Sequence, residues 1–259
     1  MGVDNLVNES AIKQASHLAS KGLEAGKAAG EELVETLKRA GSKAEDAVER
    51  LGAKIKDEAA LGKLGKKGIP TNPVDTRLKA PVPLNRQKYN FDCGPGSLLS
   101  TFKYWGIPAT EEQLIKEAGT TKKDGTPPWA LVDVAKRHGL KAEVIKNMTI
   151  DQVKSYLDRG IPVIIDIQAY GDHPGKYAKD WKDGHYVVAS GYDDLFLYFM
   201  DPSLDKATGY MPQTELPARW HDYEVLHHKR IDFVHAGIPI EGDKPVHTIK
   251  GKHPLEHID

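Results

Sequence analysis

One cysteine stands in 259 residues, so the chain can form no internal disulfide and no thiolate cluster for a metal. No apolar run approaches the roughly 18–20 residues that a membrane-spanning helix needs. Met1 to Ser10 has neither a basic stretch nor an apolar core of the signal-peptide kind. Position 6 is Leu, where N-myristoylation of Gly2 would call for Ser or Thr. Excess charge of either sign is also missing. The 36 Lys and Arg nearly balance 37 Asp and Glu, which argues against a generally cationic nucleic-acid binder. No transmembrane segment, no nucleic-acid partner and a cytoplasmic location are the expectations from these absences.

Residues 9–67 lack Pro, Trp, Tyr and Phe altogether and are rich in Ala, Lys and Glu. Apolar residues recur there at helical spacing, as in Ala11, Ala15 and Leu18, then Leu33, Leu37 and Ala40, then Val48, Leu51 and Ile55. Ser42 with Glu45 makes a capping-box pattern. We read residues 1–67 as a helical amphipathic extension: a solvated arm, a docking or targeting helix for a protein partner, or a membrane-surface helix. Pro70, Pro73, Pro81 and Pro83 then mark residues 68–84 as an extended, Pro-rich linker.

A compact mixed pattern follows. Cys93 to Trp105 reads as a helix stopped by Gly106. Thr110 caps a helix through Ala118, and Pro127 opens one that ends near His138. Lys141 to Lys146 reads as a strand, and Thr149 caps a helix from Ile150 to Arg159. Strands are expected at Pro162–Gln168, His185–Tyr192, Phe196–Met200 and Arg230–Val234. Helices first and strands afterwards predict an α+β domain with an antiparallel sheet over residues 85–236. Residues 237–259 read as a polar C-terminal tail.

Chemistry concentrates in Gln87-Lys88-Tyr89-Asn90-Phe91-Asp92-Cys93-Gly94-Pro95-Gly96. Cys93 falls where polar loop becomes apolar helix, so its sulfur can sit over free helix N–H groups. The helix dipole there favours the thiolate, which is the nucleophilic form. Gly94 allows close approach of a substrate, and Pro95 suits the first helical turn. Gln87 supplies a side-chain amide of the type that holds an oxyanion. Asp92 is expected to pair with backbone N–H groups.

A second constellation begins at Asp183-Gly184-His185-Tyr186-Val187-Val188. His185 opens an alternating strand, and Asp201 follows sixteen residues later, after one strand–turn–strand excursion. On adjacent antiparallel strands that spacing can bring the carboxylate beside the imidazole and set its tautomer. Taken singly, a lone cysteine is more often core, a strand histidine more often structural and an Asp-Pro more often a turn; the combination carries the weight.

These residues resemble the papain-like cysteine peptidases of the bacteriocin-leader-processing, double-glycine type. Members of that family carry Gln-x4-Asp-Cys, then a Gly-His-Tyr/Phe-Val-Val strand, then Asp-Pro. The match runs from about Asn85 to Pro202. The resemblance implies a papain-like fold, nucleophile Cys93, general base and acid His185, orienting Asp201 and oxyanion donor Gln87, with the Cys93 N–H as second donor. It implies a peptide or protein substrate and no cofactor or metal. Two alternatives stand beside this: an amide-transferring enzyme using the same thioester chemistry, and a non-enzymatic binding module on a papain-like fold. Elsewhere, Trp105 and Trp129 are expected in the core, and Trp181 at a cleft or as a packing anchor. The His227-His228 and His253/His257 pairs are expected to hold no metal.

Overall fold

The computed structural model describes residues 77–170, 174–247 and 253–258. The helical extension expected over 1–67, and the linker up to residue 76, lie outside the described residues. Three helices come first: α1 (Cys93–Trp105), α2 (Glu111–Ala118) and α3 (Pro128–Arg137). After the short β1 (Lys141–Ala142) and α4 (Ile150–Asp158) the chain turns to strands, β2 (Val163–Gln168), β3 (Gly184–Tyr192), β4 (Phe196–Met200) and β5 (Thr208–Pro212). A one-turn α5 (Leu216–Arg219) precedes the hairpin β6 (His221–Leu226) and β7 (Lys229–Val234). β8 (Gly237–Glu241) and β9 (Leu255–His257) complete the order.

The helix ends follow local chemistry. The Thr110 hydroxyl accepts from the Gln113 N–H, and Thr149 forms a complete capping box with Gln152. Gly106 closes α1 in the left-handed region at φ 74°. α1 is unusual in being buried nearly all round; only Cys93 and Lys103 escape. Such a helix lies within a core rather than on it. Its small residues permit that. A methyl at Gly94 would stand 3.2 Å from Tyr186 Cδ2, and one at Gly96 3.2 Å from Glu111 Oε1. The Ser97 hydroxyl donates to the Tyr186 carbonyl at 3.1 Å, tying the helix to β3.

Strands β1-β8-β2-β3-β4-β5-β9 form one sheet, antiparallel except where β5 pairs with β9. β2, fully buried, lies between β3 and β8. The fold is therefore α+β, helices against a largely antiparallel sheet, as the papain-like reading expects.

Four expectations need correction. The tail expected from 237 begins inside the sheet: Ile238 pairs with Ile164 and Ile240 with Ala142, and the two isoleucines are 2% and 0% exposed. Gly237 and Pro239 look like strand breakers in sequence, but here they flank the two inward side chains of a central strand. The boundary at 236 therefore falls inside the sheet. The linker also belongs partly to the domain. Lys79 and Ala80 donate N–H bonds to the Ser190 carbonyl, and Ala80 and Val82 are core residues. Gly191 is what admits this strap, since a methyl there would fall 2.2 Å from the Arg77 carbonyl oxygen. The strand expected at Lys141–Lys146 stops after Ala142 and resumes only as a bridge from Ile145 to Gly237. Trp129 is only half-buried, tilted against Phe233.

His227 and His228 form the two-residue turn between β6 and β7, both at positive φ, 50° and 62°. His257 lies on strand β9, so the i, i+4 helical geometry that a His253/His257 metal pair would need is not formed.

Replacing Ile240 by Ala should cost about 2–5 kcal/mol, read from the urea midpoint, as expected for a buried strand residue. A change within about 0.5 kcal/mol would instead mark this segment as a surface tail.

Candidate active site

Cys93 is the first residue of α1, partly exposed, at the end where the helix's N–H groups are unpaired. His185 is the second residue of β3 and is buried. The packing of α1 on β3 brings the thiol near enough to the imidazole to raise its proton affinity. Asp201 leaves β4 one residue after Met200, which pairs with Val188. Its Oδ1 stands 2.7 Å from His185 Nε2 and also accepts the Ser203 N–H at 2.7 Å. Imidazole and carboxylate, far apart in sequence, are thus paired beside the thiol, with His185 and Asp201 only 2% and 3% exposed.

The electrostatics follow from that burial. Desolvation alone would lower the imidazole pKa, but the hydrogen bonds and charges of Asp201 and Cys93 outweigh it and raise His185 to about 10. Burial likewise opposes ionisation of Asp201, yet the bond and charge of His185 with the Ser203 amide hold its carboxyl below the usual range. Each charge is tolerated in the interior because the other is there.

Gln87 sits on the loop just before α1, anchored by its N–H to the Pro202 carbonyl at 2.8 Å. That bond ties the Gln87 loop to the Asp201 turn. The Gln87 Nε2 donates to the Tyr89 carbonyl at 2.6 Å, while Oε1 is buried without a partner. Gln87, Tyr89, Asn90, Tyr170 and Asp201 line a cleft of about 710 Å³.

Asp92 behaves as expected of a structural acid: fully buried, it accepts the Tyr89 N–H at 3.1 Å. Its surroundings hold a residue that the sequence reading passed over. Glu111 contacts the Asp92 carboxyl and accepts the Lys88 N–H at 3.4 Å, so the two acids grip the loop that carries Gln87. Burial first, and then the nearness of Asp92, raises Glu111 to about 7. Tyr170 was likewise missed. Its hydroxyl lies 3.3 and 3.4 Å from the two ring nitrogens of His185, and its ring tilts over the imidazole at 5.2 Å. No residue-type pattern signals either contact; Glu111 reads as an ordinary first-turn helix acid and Tyr170 as a loop aromatic. Trp181 packs on His221 at 4.4 Å rather than standing free.

Comparison with known proteins bears on this arrangement. Residues 79–228 match the model of the Peptidase_C39 like family. An uncharacterized protein of Methanothermobacter thermautotrophicus is 28% identical over 122 residues, which cover 47% of this chain and 72% of that one. A second uncharacterized protein, of Methanothermobacter marburgensis, is 25% identical over 121 residues, with the same coverage of 47% and 72%. Among solved structures, a double glycine motif protease from an AMS/PCAT transporter, in complex with the leader peptide, is 21% identical. It covers 66% of this chain and 97% of its own, with a TM-score of 0.46. The peptidase domain of Streptococcus ComA is 22% identical, covering 62% and 98%, with a TM-score of 0.47. A C39-like peptidase from Bacillus anthracis is 18% identical, covering 64% and 98%, with a TM-score of 0.49.

The acid pair under the Gln87 loop sets a pH dependence. Because the Glu111 pKa is raised from 4.5 to about 7, the folded chain binds more protons than the unfolded one across that window. The resulting stabilisation is complete below about 4.5 and is lost as pH rises through about 7. Glu111→Gln, a neutral stand-in for the protonated acid, should reduce the fall in urea midpoint between pH 5 and pH 8. An unchanged pH profile in the variant would remove Glu111 as its source.

Proposed function

The chain belongs to the Peptidase_C39-like family and is a papain-like cysteine peptidase; from that premise we propose that it cuts peptide or isopeptide bonds through Cys93, His185 and Asp201, with Gln87 as oxyanion donor. The observation that carries this reading is the buried His185–Asp201 pair, 2.7 Å between imidazole and carboxylate, beside a partly exposed Cys93 at a helix N-terminus. A scaffold would gain nothing from sinking an imidazole and a carboxylate into its core beside a partly exposed thiol.

The reaction is acyl transfer. The Cys93 thiolate attacks the scissile carbonyl carbon, and the C=O pair moves onto oxygen. The Cys93 N–H and the Gln87 amide stabilise that oxyanion, Gln87 exchanging the Tyr89 carbonyl for it. As the C–N bond breaks, the His185 imidazolium passes its proton to the leaving amine, and a thioester remains on Cys93. Acylation removes the thiolate charge, one of the influences that raise the His185 pKa. The imidazole is thereby readied as the base that takes a proton from the incoming water. Collapse of the second oxyanion expels the thiolate and restores the pair.

The cysteine-peptidase activity is tested by incubating the full chain with a proteome-derived peptide library and mapping new termini by mass spectrometry. Cleavage is expected with the wild type and none with Cys93→Ala; equal patterns from both proteins would overturn the assignment. Gln87→Ala should slow turnover about 10²–10³-fold while Cys93 alkylation, followed by intact mass, stays nearly unchanged. Turnover within about twofold of wild type would exclude Gln87 as a donor. His185→Ala should slow alkylation at pH 6 by about tenfold or more, because the imidazolium that favours the thiolate is gone.

A further inference from the structure

Three carboxyls gather beside the nucleophile that the acyl-transfer steps do not use. Asp166 of β2 stands opposite Tyr186 in the register with β3. Gly184, on the same face as Tyr186, is covered by Asp222 of β6 so closely that a methyl there would fall 1.9 Å from Asp222 Oδ2. Glu224 shares a face of β6 with Asp222. The Tyr186 ring packs against Gly94, the residue after Cys93, so the group adjoins the reacting sulfur.

Two polar atoms in it lack partners: Asp166 Oδ1 and Tyr186 Oη, on side chains only 6% and 5% exposed. A buried phenol or carboxylate normally finds one. Among the described residues, no Lys or Arg forms an ion pair with Asp166, Asp222 or Glu224. Arg230 on the hairpin is engaged elsewhere. Its guanidinium lies over Tyr223 at 4.1 Å and Trp181 at 4.5 Å, with Nε on Asp232. Burial disfavours the charged form of these acids. Burial, then its neighbours' charges, pushes Asp166 well up, and burial with Asp222 raises Glu224 to about 7. Burial and then the charges of these same carboxyls raise the Tyr186 phenol, which stands opposite Asp166 in the sheet.

Among the described residues no three acids converge closely enough to hold a metal ion, these three included. An ammonium or guanidinium needs fewer close ligands and would donate to the orphaned Tyr186 and Asp166 oxygens and to Asp222 or Glu224, which are only partly buried. We propose that Asp166, Tyr186, Asp222 and Glu224 form a specificity subsite that takes a lysine or arginine side chain of the peptide substrate, close to the scissile bond. This rests on the cysteine-peptidase reading of Cys93.

Two measurements on the full chain test it separately from that reading. In the first, a peptide cut by the wild type is remade with Lys or norleucine at each position flanking the cleaved bond. At one position Lys should be preferred in kcat/KM by about tenfold or more, and the preference should collapse in Asp166→Asn and in Glu224→Gln. Cleavage without any basic preference overturns the subsite and leaves the peptidase intact. In the second, Cys93 is labelled with aminoethyl and with sulfonatoethyl methanethiosulfonate, followed by intact mass, which requires no turnover. The cationic reagent should react faster, and the ratio of rates should fall several-fold in Glu224→Gln, whose partly exposed site tolerates the change, as well as in Asp166→Asn. A ratio that is the same in wild type and both variants overturns the subsite. If no peptide is cut, the peptidase reading falls, and the reagent ratio still decides whether the cluster attracts a cation.

Discussion

The contact between the first turn of α1 and the first residues of β3 is the constraint on which the rest of this protein's chemistry depends. A nucleophile at a helix N-terminus and an imidazole at a strand start are of no use to each other unless the two elements touch without intervening side chains. Here the helix carries Gly94 and Gly96 where any larger residue would meet Tyr186 or Glu111. The Ser97–Tyr186 hydrogen bond then sets the helix against the strand. Burial of α1 on nearly every side, between sheet and neighbouring helices, makes that placement rigid. Close packing of this kind is what keeps a catalytic geometry within a few tenths of an ångström.

The second constraint is electrostatic. The domain sinks His185 and Asp201 into its interior, where either charge alone would be expelled, and each raises or lowers the other in the sense that keeps both charged. Close by, Asp92 with Glu111, and Asp166 with Asp222 and Glu224, form no ion pair with Lys or Arg among the described residues, and burial shifts their carboxyl pKa values in the opposite direction, upward. The contrast separates the acids by role. A carboxylate beside an imidazole works as an ion. A carboxyl beside another carboxyl works as a neutral clamp, or waits for a cation.

Several parts of this arrangement were legible from residue order. The helix Cys93–Trp105 and its Gly106 stop follow from local pattern, as do the Thr110 and Thr149 caps and the strands around His185 and Phe196. The spacing from His185 to Asp201 also anticipated a contact, because one β-turn between antiparallel strands brings their ends together. Gly237–Glu241 was misread for a physical reason. A five-residue strand containing Gly and Pro has no periodicity of its own, and its position between β1 and β2 comes from the sheet. Glu111 and Tyr170 were invisible because their importance lies in what they touch, not in what surrounds them in sequence.

Sequence by itself determined the chemical repertoire: one thiol at a helix start, one imidazole behind a glycine, one carboxylate after the next strand, and an amide six residues upstream. These are local matters, decided by caps, glycines and side-chain period. Tertiary structure alone decided which acids would be charged, that β8 would complete the sheet, and that Tyr186 and Asp166 would face a cluster of carboxyls beside the sulfur. Those outcomes depend on desolvation and on contacts between segments tens of residues apart, and neither quantity is carried by any single stretch of the chain.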